Sequence, residues 1–423
     1  MTIEKTDLVV VGAGPAGLAA AAEAARRGAE VVVLDEAPIP GGRLPGQIHP
    51  LPGRFRRGRQ RWINGAEKSA QLVSQAETAG VRIFCGASVW GIFPGWYVGI
   101  APAALPDESA RLPSGLDARA VLIATGATQI PLIMPGWTLP GVITAGAAQA
   151  MINVHRTLPG ERAVVIGIDP LSMSVAHLMA RAGSEIMGVF LPPPNNLQFG
   201  PNSPRAAIRA LACLSASAPN AALTVAAGLC NYLSKPAAIL FPHDGIKIDG
   251  VRLQLRQAAA AIKGRDCVES VQIHSIRSNG EQMPGKSLSL ATDVVITSNG
   301  LLPLTELAQV AGCPLTWISD LGGWVPLHND RYETPLAGMF AAGSITGVEG
   351  AAVAEAQGRV AGLSASAYLE PSAAHGLESN LRTLQQSVVT ARKEAIAFYP
   401  DIEAGRAALA LHWRKRAKEF VRT

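Results

Sequence analysis

Cysteine is scarce in this chain. Its five cysteines (Cys85, Cys213, Cys230, Cys267 and Cys313) stand no closer than 17 residues apart. That spacing excludes a C-x-x-C redox pair and any local zinc or iron–sulfur cluster, so the thiols read as inert. The eight histidines are scattered without metal-ligand spacing, and no metal is expected. No apolar run reaches the ~18–20 residues that span a bilayer, and the N-terminus lacks a secretory pattern. No transmembrane segment is therefore expected, and the expected location is cytoplasmic. Charge is sparse too: 16% of residues are charged against 48% hydrophobic. This is the balance of a well-buried α/β protein, and 423 residues call for two or three domains.

The net charge of +5 is unevenly spread. Arg54, Arg56, Arg57, Arg59 and Arg61 crowd one segment, and Arg414, Lys415, Arg416 and Lys418 crowd the C-terminal end. Such patches suit phosphates, an acidic partner or plain solvation. A small-molecule substrate is expected and a nucleic-acid partner is not.

What is present begins at once. Asp7-Leu8-Val9-Val10-Val11 is an apolar strand that feeds Gly12-Ala13-Gly14-Pro15-Ala16-Gly17, a G-x-G-x-x-G turn. An alanine-rich helix follows, then Val31-Val32-Val33-Leu34 closed by Asp35 and Glu36. In such a unit Gly12 permits the tight turn, Gly14 lets backbone approach a pyrophosphate, and Gly17 lets helix and strand pack closely. The helix N-terminus offers free N–H groups to phosphate. Asp35, 18 residues past the last glycine, is where an acid accepts from an adenosine ribose.

Beyond the first unit, Pro38, Pro40, Gly41 and Gly42 break the chain, and a long irregular loop is expected to about residue 60. Residues 63–79 read as a helix, and 81–100 as strands with Gly86 and Gly91 at turns or bulges. Ala120–Ile123 is a buried strand closed by Ala124-Thr125-Gly126, and Val142–Val154 reads as a helix. Ala163–Gly167 opens a second strand–turn–helix unit, with Gly167 lying 155 residues after Gly12. Residues 192–204 contain five prolines and read as an exposed connection. Asp293–Gly300 and Gly338–Gly343 are further buried strands with tight ends, the latter followed by a small-residue helix from about Ala351 to Tyr368. Residues 375–423 read as wholly helical.

The expected fold class is α/β: two Rossmann-like, three-layer ββα dinucleotide-binding domains, the second inserted in the first, plus a helical C-terminal tail. The expected domains are 1–130 (FAD-binding, first part), 131–290 (second, NAD(P)-like), 291–365 (FAD-binding, second part) and 366–423 (tail).

At Gly12–Gly17, Ala124-Thr125-Gly126 and Gly338–Gly343 the chain resembles the two-dinucleotide-binding-domain FAD-dependent pyridine nucleotide-disulfide oxidoreductases. The runs Met134–Ala150 and Gly350–Gly362 resemble, more narrowly, the large (α) flavoprotein subunit of opine oxidases, hydrogen cyanide synthases and dye-linked proline and hydroxyproline dehydrogenases. The resemblance implies FAD, a partner flavoprotein β subunit that oxidises a C–N bond of an amino or imino acid, and electron transfer through this subunit. It implies that Gly12, Gly14, Pro15, Ala16 and Gly17 hold the pyrophosphate. Asp35 would serve the adenosine ribose, with Glu36 beside it among the cofactor-binding residues, and Val89 the adenine through its backbone. Gly41, Gly42 and Arg43 would flank the flavin, where the family usually has Gly-Gly-Gln, and Ala124, Thr125 and Gly126 would close the site. Gly343 and Ser344 would meet the ribityl chain, and Ala351 and Ala352 would bring a helix N-terminus to the isoalloxazine ring.

Three departures bear on function. The second turn reads Gly167-Ile168-Asp169-Pro170-Leu171-Ser172, with a carboxylate where the pyrophosphate glycine belongs. This domain is expected to keep the fold and lose NAD(P). Ser344 stands where the family usually has Asp, which weakens a hydrogen bond to the cofactor and leaves ATP or another adenine nucleotide as an alternative occupant. Residues 364–423 hold no cysteine, so an iron–sulfur cluster would need a separate small subunit.

No catalytic residue is assigned. His49, beside the flavin glycines, reads as a loop histidine, and Glu355 as a partner for Arg359 one turn on. Glu349 also flanks the flavin helix. Two alternatives remain open at this point: a self-sufficient NAD(P)H-dependent FAD oxidoreductase, and a redox-inert nucleotide-binding scaffold subunit.

Overall fold

A computed structural model describes residues 3–56, 59–103, 112–194, 199–212, 234–285, 287–395 and 398–420. The chain forms two units: one from 1–45, 65–128 and 302–423, the other from 46–64 and 129–301.

The first unit is built on Ile3–Val11 at the centre of a parallel sheet. Val31–Asp35 and then Arg82–Cys85 lie on one side of it, and Gly115–Ile123 on the other. The start of Gly115–Ile123 pairs antiparallel with Tyr97–Pro102, which in turn pairs with Ala87–Phe93; its end pairs parallel with Met339–Ala341. The returning Gly338–Gly343 segment thus re-enters the first sheet, as expected.

Alternation explains why these strands read as unbroken apolar runs. Leu8, Val10, Val31, Val33 and Leu122 join the core on one face, while Val9, Val11, Val32, Leu34 and Ile123 join that on the other. A parallel sheet covered on both faces needs both sets. Helices Pro15–Ala25 and Ala351–Leu369 pack on each other over the first face. The tail is helical, as expected: Glu378–Glu394 packs Leu381 and Val388 into the same core. Ile402–Phe420 packs Leu409 against Ile318, Leu321 and Val325.

The second unit repeats the plan. Its parallel strands run in the order Val142–Thr144, Val294–Thr297, Arg162–Ile166, Glu185–Leu191, Val251–Lys263, and Ser270–Ser275 and Leu288–Ala291 extend the sheet antiparallel.

Three expectations change. Residues 48–64 are not an irregular loop but an antiparallel hairpin, Ile48–Arg56 with Arg59–Asn64, belonging to the second unit. Val142, Ile143 and Thr144 are strand, and the helix starts at Ala145 with Thr144 as its cap, its hydroxyl accepting the Ala147 N–H. β-Branched side chains suit the pleated edge and Thr suits the cap. The insertion ends at 301 rather than 290, because Val294–Thr297 pairs with Arg162–Ile166 and Val142–Thr144 in the second sheet.

Among the described residues no helix is long and apolar enough to cross a membrane, and no group of three or more His, Cys, Asp or Glu is placed to hold a metal. Cys85, Cys267 and Cys313 are free thiols; Cys213 and Cys230 lie outside the described residues.

Candidate cofactor site

The three glycines of the first turn do different work. Gly12 has φ +107°, and a Cβ there would stand 2.4 Å from the Ala124 carbonyl oxygen. A Cβ on Gly17 would stand 1.9 Å from the Gly12 carbonyl oxygen. Those two glycines serve the fold. Gly14 has φ −75°, open to any residue, and a Cβ there would meet nothing within 4 Å. It borders open space. It is also the N-cap of helix Pro15–Ala25, without any side-chain cap. Pro15 has no N–H to lose, and the remaining first-turn donors face outward for an anion.

Other expected residues gather here. Asp35 accepts the Ala13 N–H at 2.6 Å and the Ala37 N–H at 2.8 Å, one on each carboxylate oxygen. It braces the loop, and each oxygen keeps acceptor capacity for a ribose hydroxyl. The Gly41 N–H donates to Ala13 O at 2.8 Å, and a Cβ on Gly42 would lie 3.0 Å from Gly14 Cα. Arg43 donates through Nη2 to Ala127 O at 2.9 Å. The Ala124 N–H donates to Val11 O at 2.8 Å, Thr125 Oγ1 donates to Leu304 O at 2.6 Å, and Gly126 O accepts the Leu304 N–H at 3.0 Å. Gly343 is close as well, since its Cβ would lie 2.7 Å from Ala16 Cβ. Helix Ala351–Leu369 starts at Gly350, again without a side-chain cap. Ala351 is half-buried, Ala352 is exposed, and Ser344 opens the short turn between. Glu36 is exposed, and Val89 is half-buried in strand Ala87–Phe93, registered with Ile100. A cradle of glycines with two uncapped helix ends fits a dinucleotide.

Glu355 is met by Arg359 at 2.7 Å and Lys68 at 2.9 Å, the expected pairing plus one. The His49 side chain and those of Arg54–Arg61 lie outside the described residues.

The second turn is built oppositely. Gly167 keeps its fold role, with φ +110° and a Cβ that would lie 1.9 Å from Ser298 O. Asp169, in the place of Gly14, caps helix Pro170–Ala182 itself. Its Oδ1 accepts the Ser172 N–H at 2.8 Å, and Ser172 Oγ accepts the Asp169 N–H at 3.0 Å, a complete capping box. Ser298 Oγ donates to Oδ2 at 2.6 Å. Burial pushes the Asp169 carboxyl above its usual range, although the bonds from Ser298 and Ser172 favour the charged form. The helix end that would take a phosphate is already filled by the chain's own carboxylate.

Sequence reasoning missed a buried polar cluster behind Gly343. Gln357 Oε1 accepts the Gly343 N–H at 2.9 Å and its Nε2 donates to Glu349 at 3.0 Å. Glu349, 5% exposed, is also gripped by Arg392 at 2.8 Å and by Arg406. Burial raises the Glu349 carboxyl, but the Arg406 and Arg392 guanidiniums outweigh it and hold it below the usual range. Arg406 Nη1 donates to Thr346 O at 2.7 Å, and Thr346 Oγ1 donates to Gly343 O at 2.9 Å. His328, stacked on Tyr332 with ring centroids 5.4 Å apart, completes the group. A buried acid in a glycine-rich run was a signal that a cation must meet it; which cation was not readable.

Burial, and then Arg406, depress His328 to about 3, so it is neutral in the folded chain. Its ordinary value is near 6.5, so the unfolded chain binds the extra proton between those two pH values. Stability therefore falls as pH drops through that window, by at most about 1.4 kcal/mol per pH unit for one proton. His328→Asn is expected to flatten the pH dependence of urea-unfolding stability between pH 6.5 and about 5.5, where the carboxyls of the unfolded chain are still largely ionised. An unchanged slope would contradict this.

The comparisons agree with the cradle. The pyridine nucleotide-disulphide oxidoreductase family model matches residues 6–358. The chain belongs to that family. The expectation of an FAD-dependent oxidoreductase with two Rossmann-type units agrees with this membership. An opine oxidase subunit of Agrobacterium tumefaciens (strain Ach5) is 32% identical over 86% of this chain and 66% of its own length. The hydrogen cyanide synthase subunit HcnB of Pseudomonas protegens is 25% identical over 85% of this chain and 69% of its own. The narrower resemblance read at Met134–Ala150 and Gly350–Gly362 is thereby borne out. The chain spans just under two thirds of the opine oxidase protein. Among solved structures, L-proline dehydrogenase from P. horikoshii shares the fold with a TM-score of 0.58 at 18% identity, covering 90% of this chain and 60% of that one.

Proposed function

We propose that this chain is the FAD-binding large subunit of a heteromeric dehydrogenase or oxidase acting on the C–N bond of an amino or imino acid, of opine, proline or hydroxyproline type. The observation that carries the reading is the contrast between the two glycine turns, open at Gly14 and closed by Asp169. A chain with one open dinucleotide loop has no second one for NAD(P)H, so its electrons come from a partner, here a flavoprotein β subunit. A small iron–sulfur subunit is the further partner when electrons leave through a cluster. Similarity to subunits of an opine oxidase and of a hydrogen cyanide synthase supports the same reading.

When bound, FAD supplies a ring that takes up and returns two electrons. The chain's part is to hold it. Gly12, Gly14 and the first turn of helix Pro15–Ala25 receive the pyrophosphate, and Asp35 accepts from the ribose. Gly42 and Arg43 line the flavin side, Ala124–Gly126 closes the loop, and Gly343, Ser344 and the Gly350-capped helix receive the remainder.

The test uses the purified chain, alone and co-expressed with its genomic neighbours. Denaturation is expected to release FAD, and NADH or NADPH is expected to leave the visible spectrum unchanged beforehand. Rapid bleaching would overturn the reading in favour of a self-sufficient reductase. Release of ATP would overturn the electron-carrying role and leave a scaffold.

A further inference from the structure

The two tail helices lie beyond the segment matched by the family model, which ends at residue 358, yet each sends an arginine under the Gly343–Gly350 turn. Arg392 comes from Glu378–Glu394 and Arg406 from Ile402–Phe420. We propose that Arg392 and Arg406 are positioning residues of the FAD site: they clamp this turn and leave one uncompensated positive charge beneath it, favouring the reduced, negatively charged flavin. The inference rests on the FAD reading above.

The charge count comes from the cluster itself. Glu349 is the carboxylate that both guanidiniums bond. The side chains acting most strongly on each arginine are Glu349, Tyr332 and, on Arg406, Arg392. Arginine stays protonated at any working pH, so among the described residues of the cluster two cations face one anion. His328 and Tyr332 add none, being held neutral by burial. Arg406 Nε has no hydrogen-bond partner among the described residues. A buried charge in excess is costly unless something offsets it, and an anion arriving at the neighbouring turn would do so.

The connection to that turn is direct. Arg406 holds Thr346 O, Thr346 Oγ1 holds Gly343 O, and Glu349 reaches the Gly343 N–H through Gln357. Both main-chain polar groups of Gly343 are thus fixed by the cluster, and Gly343 is the residue the resemblance sets at the ribityl chain. Ser344 adds no anion of its own beside Gly343. A two-electron, one-proton reduction leaves the flavin ring with a negative charge, which a fixed cation stabilises in a low-dielectric site.

The experiment is a spectroelectrochemical titration of the flavin-loaded chain. Arg392→Gln and Arg406→Gln are expected to lower the midpoint potential, each shifting the oxidised/reduced equilibrium about tenfold, or about 30 mV for a two-electron couple. Arg392→Lys is expected to return most of the shift. Glu349→Gln is expected to raise the potential, because it removes the anion. Opposite signs are what a purely structural clamp would not give. Equal potentials for Arg392→Gln and Arg392→Lys, or shifts of one sign in every variant that folds, would overturn the inference. Wild-type protein without flavin would overturn the FAD reading along with it, whereas flavin present at an unmoved potential overturns the inference alone.

Discussion

Gly14→Asp is expected to leave the chain folded and to empty its FAD site. Position 14 tolerates a side chain sterically, since its φ of −75° is ordinary and a Cβ meets nothing within 4 Å. The molecule already contains the outcome. Asp169 occupies the same place before Pro170 that Gly14 occupies before Pro15, and its carboxylate caps the helix and fills the anion position. In the first unit the new carboxylate would take the first-turn N–H groups and repel the pyrophosphate. Hydrogen bonds to a charged group contribute about 1.5–3 kcal/mol each, so losing one weakens binding about 10- to 100-fold and losing two about 100-fold or more. Flavin released per mole of chain should fall to near zero, with a melting temperature within a few degrees of wild type. Full occupancy in the variant would contradict the assignment of Gly14 to the pyrophosphate.

Gly358→Val should do the reverse and break the fold first. Helices Pro15–Ala25 and Ala351–Leu369 touch backbone to backbone. A Cβ on Gly358 would lie 2.1 Å from Ala16 O, and one on Gly362 would lie 2.3 Å from Ala20 O. Overpacking a core usually costs about 1–3 kcal/mol when side chains can yield. Here the obstacle is main chain that also carries the glycine turn, so the expected loss is about 3 kcal/mol or more. Urea unfolding and soluble yield measure it. Flavin content should fall together with stability, unlike in Gly14→Asp, where only flavin is lost. Wild-type stability for Gly358→Val would show that the helices can separate without penalty.

How far the sequence was legible depended on the range of the interaction concerned. The two strand–turn–helix units, the resumed strand at Gly338–Gly343 and the helical tail were readable. Apolar runs, period-two alternation and glycine turns are written within about ten residues of chain, and local sterics admit few solutions. The altered second turn was readable for the same reason, because one residue of the wrong charge stands in a six-residue pattern. The hairpin at residues 48–64 was not. Its prolines and glycines signal a break equally well in a loop and in a paired ribbon, and only the partner strand decides. Nor was the end of the insertion at 301, because Val294–Thr297 looks the same in either sheet until Arg162–Ile166 pairs with it.

The cluster of Glu349, Gln357, Arg392, Arg406, His328 and Tyr332 lay furthest out of reach. His328 and Arg406 lie 78 residues apart in the chain, and each member alone reads as an ordinary polar residue. By itself the sequence determined what kind of units the chain builds and which of the two turns remains open to a phosphate, because short-range sterics and charge settle both. Only the tertiary structure decided which cations meet the buried Glu349 behind Gly343, because burial and pairing arise when the tail helices close over a loop far away in the chain.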